Sequence, residues 1–139
     1  MQRLTNIDQI GKSVIVAAHP DDEVLWFSSI LAKASHIVIC FLDVPSNERW
    51  TNGRRNVVKK YPIHNATFLG LEESEIIDIK NWENPQIADY GLKIKRKGVR
   101  AEKYKENYGV LKVRLKAILE KAENVYTHNP WGEYGNEEH

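Results

Sequence analysis

Residues 13–44, SVIVAAHPDDEVLWFSSILAKASHIVICFLDV, contain two apolar runs separated by a segment that begins with three successive acids. The runs at 13–18 and 36–44 are short and rich in β-branched residues, which is typical of buried strands in a parallel sheet. In the segment between them, acids at the first turn favour a helix start, and the apolar residues that follow, Trp26 and Phe27 among them, favour a largely buried helix. The stretch therefore predicts a β-α-β unit.

The same alternation continues along the chain. Two further β-rich runs lie at 66–71 and 124–128, and residues 51–63 offer a short helix that Pro62 ends. Before the last run, apolar residues at three- and four-residue spacing predict an amphipathic helix: Tyr104, Tyr108, Leu111, Leu115, Ile118 and Leu119. The pattern predicts an α/β fold, a Rossmann-like three-layer α/β/α arrangement with a mainly parallel sheet.

Length and composition fit one globular unit. The 139 residues are predicted to form a single domain spanning 1–139, and 20 Lys and Arg against 19 Asp and Glu give no basic field that would favour nucleic acid. Cys40, the single cysteine, is interpreted as a small buried residue and suits a reducing compartment. No apolar run approaches the ~20 residues of a membrane span, so we expect a soluble, cytoplasmic protein.

Residues 72–103 are longer and more polar than a simple crossover between strands requires. We interpret them as a polar surface excursion. Their basic cluster is interpreted as solvated, with an anionic ligand as the less favoured alternative: Lys93, Lys95, Arg96, Lys97 and Arg100.

The HPDDE sequence at 19–23 directly follows the first predicted strand, and open α/β sheets bind ligands beyond the carboxyl ends of their strands. His and Asp are suitable zinc ligands, and a catalytic zinc site commonly has three protein ligands and a water. The stretch offers two ligands and a carboxylate that could act as general base. A third ligand must come from elsewhere, and both His128 and His139 are candidates.

AAHPDDE at 17–23, paired with THNPWGEYGNEEH at 127–139, resembles the two motifs of the LmbE-like, PIG-L-type zinc-dependent N-acetylglucosamine deacetylases. The order of elements fits this family from residue 13 to 139. The resemblance implies that His19, Asp22 and His139 bind Zn²⁺ and that Asp21 is the general base. It also implies that Tyr134 helps to polarise the substrate carbonyl.

Further substrate contacts are expected around these motifs. An arginine after the second strand often contacts substrate in the family, and Arg54 and Arg55 are the candidates here, although the family's usual acid three residues later is replaced by valine. Trp131 and Trp50 are expected in loops at the same edge of the sheet, where an aromatic ring could either stack on a sugar face or pack within its loop.

Two departures from the family pattern affect the expected activity. Asn136 stands where the family commonly has a histidine, and an amide can donate a hydrogen bond but cannot carry an imidazolium charge. We therefore expect a catalytic role for Asn136, with either a slower enzyme or a different arrangement of groups around the oxyanion. Family members also continue beyond the position of His139, so we expect a truncated domain that lacks the C-terminal part of the fold, holds zinc weakly and exposes a sheet edge through which copies could pair.

The resemblance implies a hydrolase that uses metal-activated water to remove the acetyl group from an N-acetylated, GlcNAc-type sugar or glycoconjugate. The alternative is a non-catalytic Rossmann-like binding domain, or an inactive fragment, derived from such an enzyme. A dinucleotide-binding domain is disfavoured because no G-x-G-x-x-G turn follows the first predicted strand.

Overall fold

A computed structural model describes residues 12–76, 84–130, 132, 136, 138 and 139. Six strands are present in this part of the chain: β1 (Ser13–Ala17), β2 (His36–Asp43), β3 (Ala66–Glu72), β4 (Ile87–Ala88), β5 (Gly91–Leu92) and β6 (Asn124–Thr127). Four of them form a parallel sheet in the order β3-β2-β1-β6, and β4 and β5 form a short antiparallel hairpin. The prediction of an α/β fold with a mainly parallel sheet is confirmed, and each predicted strand ends within one residue of its observed position.

The predicted first helix is divided into α1 (Asp22–Leu25) and α2 (Ser28–Leu31). The backbone leaves helical geometry at Phe27, with φ −118° and ψ 12°, between the two short helices. The turn places the Phe27 ring in the core, as predicted, but leaves Trp26 47% exposed. The prediction that Trp26 is a core residue is therefore wrong.

Two longer helices complete the described elements, α3 (Glu48–Lys59) and α4 (Val99–Leu119). The helix α3 begins earlier than predicted because the Asn47 side chain accepts a hydrogen bond from the Trp50 N–H at 3.0 Å and caps it. Trp50 consequently lies in a helix, not in a loop. No helix among the described residues combines the length and apolar character needed to cross a membrane.

Both faces of the sheet are covered by helical segments. Because side chains alternate along a strand, Ile15, Ile37 and Ile39 pack with Phe27 and with residues of α2 on one face. On the other face, Val14, Val16, Val38 and Cys40 are buried against apolar residues of α4: Leu111, Leu115, Ile118 and Leu119. This is the packing that the three- and four-residue spacing in the last helix predicted.

The segment between β3 and α4 is anchored by a small cluster of its own. Ile76 and Ile94 are buried with Ala101 and Tyr104 of α4, and the Tyr104 hydroxyl accepts a hydrogen bond from the Leu92 N–H at 3.2 Å. The basic side chains after β5 are exposed, and two of them, Arg96 and Arg100, contact Glu75. The predicted excursion at 72–103 overlaps α4, which already begins at Val99. Within the described residues β3 and β6 are the edges of the sheet, and pairing of copies through such an edge stays a prediction.

Cys40 lies inside the sheet with 4% of its surface exposed, and burial raises the pKa of its thiol to about 12. Because the thiolate is the reactive species, we expect the folded protein to resist iodoacetamide at pH 8 and to be labelled rapidly once unfolded in urea. Mass spectrometry of both samples measures this. Comparable labelling rates in the two states would contradict the buried position.

Candidate metal centre

The carboxyl ends of β1 and β6 form the topological switch point of the sheet. The strand β1 pairs with β2 on one side and with β6 on the other. The connections that follow β1 lead to β2 and β3 on one side of it, whereas β6 lies on its opposite side, so the strand order reverses at β1. Sheets of this kind bind ligands in the crevice at such a point. His19 follows β1 by two residues, and His128 directly follows β6.

The side chains of the three acids in the HPDDE turn point in different directions. The N–H groups of Asp21 and Asp22 both donate to the His19 carbonyl, at 3.0 and 3.2 Å, while Oδ2 of Asp22 accepts the His19 N–H at 2.8 Å. Glu23 accepts from the Asp21 N–H at 3.0 Å and from the Tyr61 hydroxyl at 2.9 Å. Asp22 and Glu23 are thereby buried and hydrogen-bonded, whereas the Asp21 side chain is exposed.

Three side chains at this edge converge as a group that could hold a metal ion: His19, Asp22 and His139. Nδ1 of His19 lies 3.3 Å from Oδ2 of Asp22 and 3.1 Å from Nε2 of His139, and the remaining Asp22–His139 separation is 3.8 Å. Tetrahedral ligands about 2.0–2.2 Å from zinc would be roughly 3.3–3.6 Å apart. The mutual spacing of these donor atoms therefore fits a metal ion held by two histidines and one carboxylate.

Nε2 of His128 and Nε2 of His139 both lie near Oδ2 of Asp22, at 3.4 and 3.8 Å, but the other contacts of the two nitrogens differ. Nε2 of His128 accepts a hydrogen bond from the Ala18 N–H at 3.1 Å, which engages the lone pair that a metal would need. Nε2 of His139 instead faces Nδ1 of His19, and the His139 N–H donates to the Asn136 carbonyl at 3.2 Å. Of the two candidates, His139 is the one placed to complete the group.

Matched glutamine variants distinguish the two histidines. We expect His139→Gln to weaken zinc binding by more than about 100-fold, because it removes a ligand and not an outer contact. His128→Gln should stay within about tenfold of the unsubstituted chain, because the amide oxygen can accept the Ala18 N–H. Competition with a chromophoric chelator measures both affinities, and a larger loss in His128→Gln would reverse the choice of ligand.

The buried acids stabilise positive charge in this centre. Burial alone would lower the pKa of His19, but the carboxylates of Asp22 and Glu73, 3.3 and 2.9 Å from its ring nitrogens, raise it to about 9. Burial would raise the pKa of Asp22, yet the surrounding histidines hold it well below its usual range. The pKa of Asp21 is raised, first because neighbouring protein groups partly desolvate its exposed carboxyl group and then by the charge of Asp22.

Sequence reasoning missed two acids beside this group, Glu73 and Glu138. Glu73 contacts Nε2 of His19 at 2.9 Å and forms an ion pair with Arg54. Oε1 of Glu138 accepts the Ser74 hydroxyl at 2.7 Å, and burial raises the Glu138 pKa. The available signal for Glu73 was its position directly after β3, the same position relative to the sheet that HPDDE has relative to β1.

The remaining predicted site residues differ in how close they lie to the candidate metal centre. Arg54 reaches the centre through Glu73, whereas Arg55 forms a two-pronged ion pair with Asp43, at 2.9 and 2.7 Å, on the surface. Oδ1 of Asn136 accepts the Glu138 N–H at 3.1 Å, so a role in stabilising an oxyanion would depend on its Nδ2 group. Trp131 and Tyr134 lie outside the described residues.

A cavity of about 510 Å³ adjoins the centre, within the size range of small-molecule sites. His128, Glu138 and His139 line one part of it, and Leu92, Tyr104 and Tyr108 line another. It thus joins polar groups near the centre to a more apolar wall formed by β5 and α4.

Comparisons of the chain with protein-family models, with curated proteins and with solved structures give no significant match.

Proposed function

We propose that this chain is a zinc-dependent hydrolase of the LmbE-like, PIG-L type that removes the acetyl group from an N-acetylated, GlcNAc-type sugar or glycoconjugate. The observation that carries the proposal is the mutual spacing of 3.1, 3.3 and 3.8 Å among the donor atoms of His19, Asp22 and His139. These are the three residues to which the two sequence motifs assign the zinc ion. They come from opposite ends of the chain, so their convergence is independent of local sequence.

Zinc, when bound, supplies a Lewis acid that lowers the pKa of water and polarises an amide carbonyl. Asp21, exposed beside the buried Asp22, takes the proton from the attacking water as general base and returns it to the leaving amine. Tyr134 and the Nδ2 group of Asn136 donate hydrogen bonds to the carbonyl oxygen as negative charge develops. The products are acetate and a free amino sugar.

The proposal extends to the surroundings of the centre. The helical segments against both faces support a Rossmann-like three-layer α/β/α arrangement, and the adjoining cavity supports a small-molecule substrate. The resemblance implies Arg54, Arg55 and Trp131 as contacts to the sugar. The proposed location is the cytoplasm, because Cys40 is a buried free thiol.

The test combines metal content with product release. We expect one zinc ion per chain and release of acetate from N-acetylglucosamine or its glycosides, with both lost after treatment with a strong chelator and activity restored by added zinc. His139→Gln serves as the matched control that should lose zinc and acetate release together. Failure to bind zinc and to release acetate from any N-acetylhexosamine would overturn the proposal.

Zinc binding without acetate release would favour a different class, a non-catalytic binding domain. The observation in its favour is Asn136, which stands in place of the family's histidine and whose side-chain oxygen is engaged by the Glu138 N–H. Isothermal titration with an N-acetylated sugar would then show binding of substrate without turnover.

A further inference from the structure

The two ring nitrogens of His19 face different partners. Nδ1 faces Asp22 and His139, the other members of the metal-binding group. Nε2 is buried 2.9 Å from Oε1 of Glu73, a hydrogen-bond distance, although the ring is not aligned for a hydrogen bond to this oxygen. Histidines that bind metals commonly direct their second nitrogen to a carboxylate, which fixes the tautomer and the orientation of the ring. Glu73 occupies the position of such a carboxylate.

Glu73 is itself held in place from two sides. Its N–H donates to the Asp43 carbonyl at 2.8 Å, which ties the backbone after β3 to the end of β2. Its Oε1 forms an ion pair with Nη1 of Arg54 from α3, and the side chains of both partners are largely buried. The carboxylate is therefore fixed by the sheet and by α3, independently of any metal.

We propose that Glu73 is a positioning residue for the metal ligand His19, and that Arg54 acts through Glu73. Glu73 holds the proton on Nε2 of His19, so that Nδ1 presents its lone pair toward Asp22 and His139. This inference rests on the proposed zinc site. It gives Arg54 a role different from the substrate contact that the resemblance implies.

A second metal ion is the competing explanation, because His19, Glu73 and Glu138 also lie close enough to form a ligand group. The contacts disfavour it. Arg54 already supplies a positive charge to the oxygen of Glu73 nearest His19, and Oε1 of Glu138 is engaged by the Ser74 N–H and hydroxyl. Two ions would also require His19 to use both nitrogens as ligands.

The primary test compares Glu73→Gln with Glu72→Gln, a control that removes the same charge from the adjacent, exposed position. We expect Glu73→Gln to weaken zinc binding by about 10- to 100-fold and Glu72→Gln to leave it within about twofold. Affinity is measured by chelator competition, and urea unfolding of the metal-free variants shows whether a loss reflects folding. Equal affinities in the two variants would overturn the inference while leaving the zinc site intact.

Arg54→Gln and the double variant test the connection between the two residues. If Arg54 acts through Glu73, Arg54→Gln weakens zinc binding by several fold, and adding it to Glu73→Gln causes little further loss. A rise in KM with unchanged zinc affinity would instead identify Arg54 as a substrate contact.

The tautomer of His19 gives a readout that does not depend on a substitution. In the zinc-loaded protein, long-range ¹H–¹⁵N correlation should show a proton on Nε2 and metal on Nδ1. Metal on Nε2, or two zinc ions per chain, would overturn the inference. A chain that binds no zinc would remove the proposed function and this inference together, which separates that failure from equal affinities in Glu73→Gln and Glu72→Gln.

Discussion

Replacement of Asp21 by asparagine is expected to leave zinc bound and to lower kcat by about 10²–10⁴-fold, the usual contribution of a general base. The reason is the turn at 19–23, which buries the side chain of Asp22 beside His19 but leaves that of Asp21 exposed. An amide at position 21 keeps the size of the side chain and cannot accept the proton of water. Zinc content and acetate release, measured on the same preparation, check both parts.

Asp22→Asn is the matched variant, one residue away and with the same change of charge. It should lose zinc, because Oδ2 of Asp22 is the atom shared between His19 and His139 and is held by the His19 N–H. Activity would then fall for lack of metal, not for lack of a base. Loss of zinc in Asp21→Asn with retention in Asp22→Asn would mean that the two roles are exchanged.

Periodicity was sufficient for the sheet and insufficient for the first helix. The strands β1 and β2 are apolar on both faces. Short runs of this kind are typical of buried strands, so the pattern predicted them correctly. The segment after β1 is apolar too, but a local turn at Phe27, which composition does not encode, decides which side chains reach the core. The apolar pattern consequently predicts a buried Trp26, whereas this side chain is exposed in the structure.

In the candidate site too, the features that depend on neighbouring residues could be predicted from the sequence, and those that depend on distant residues could not. The sequence of HPDDE indicates that neighbouring residues can have different roles, because a tight turn points neighbours in different directions, but which residue has which role is implied only by the family resemblance. The choice between His128 and His139 could not be made from residue type or spacing, since both follow the last strand. It depends on a hydrogen bond from Ala18, 110 positions earlier in the chain, which engages one ring and not the other.

Glu73 shows why acids at strand ends are hard to interpret from sequence alone. In its local context, EES at 72–74, it looks like an ordinary solvated acid at the end of a strand. Only the pairing of β3 with β2, and of β2 with β1, brings it to the ring of His19. The surroundings of His19 at the end of β1 thus include an acid that follows β3, Glu73, and an arginine from α3, Arg54.

The second large effect is expected at Gly132, whose φ of +71° suits glycine and strains other residues. A Cβ at this position would lie 2.1 Å from the backbone oxygen of Asn136, the same carbonyl that accepts the His139 N–H. Gly132→Ala must therefore displace the Asn136 carbonyl that accepts the N–H of His139, the third proposed metal ligand. We expect a loss of about 1–3 kcal/mol in the free energy of unfolding and at least about a tenfold loss in zinc affinity, which corresponds to about 1.4 kcal/mol.

Gly70 provides the control, because its φ of +67° is nearly the same but a Cβ there would meet no atom within 4 Å. Gly70→Ala carries the backbone strain without the collision, and Gly70 lies in β3. It should lower stability by about 1–2 kcal/mol and leave zinc affinity unchanged once unfolding is taken into account. Equal zinc affinity in the two alanine variants would show that the carbonyl of Asn136 does not position His139, because strain alone would then account for both.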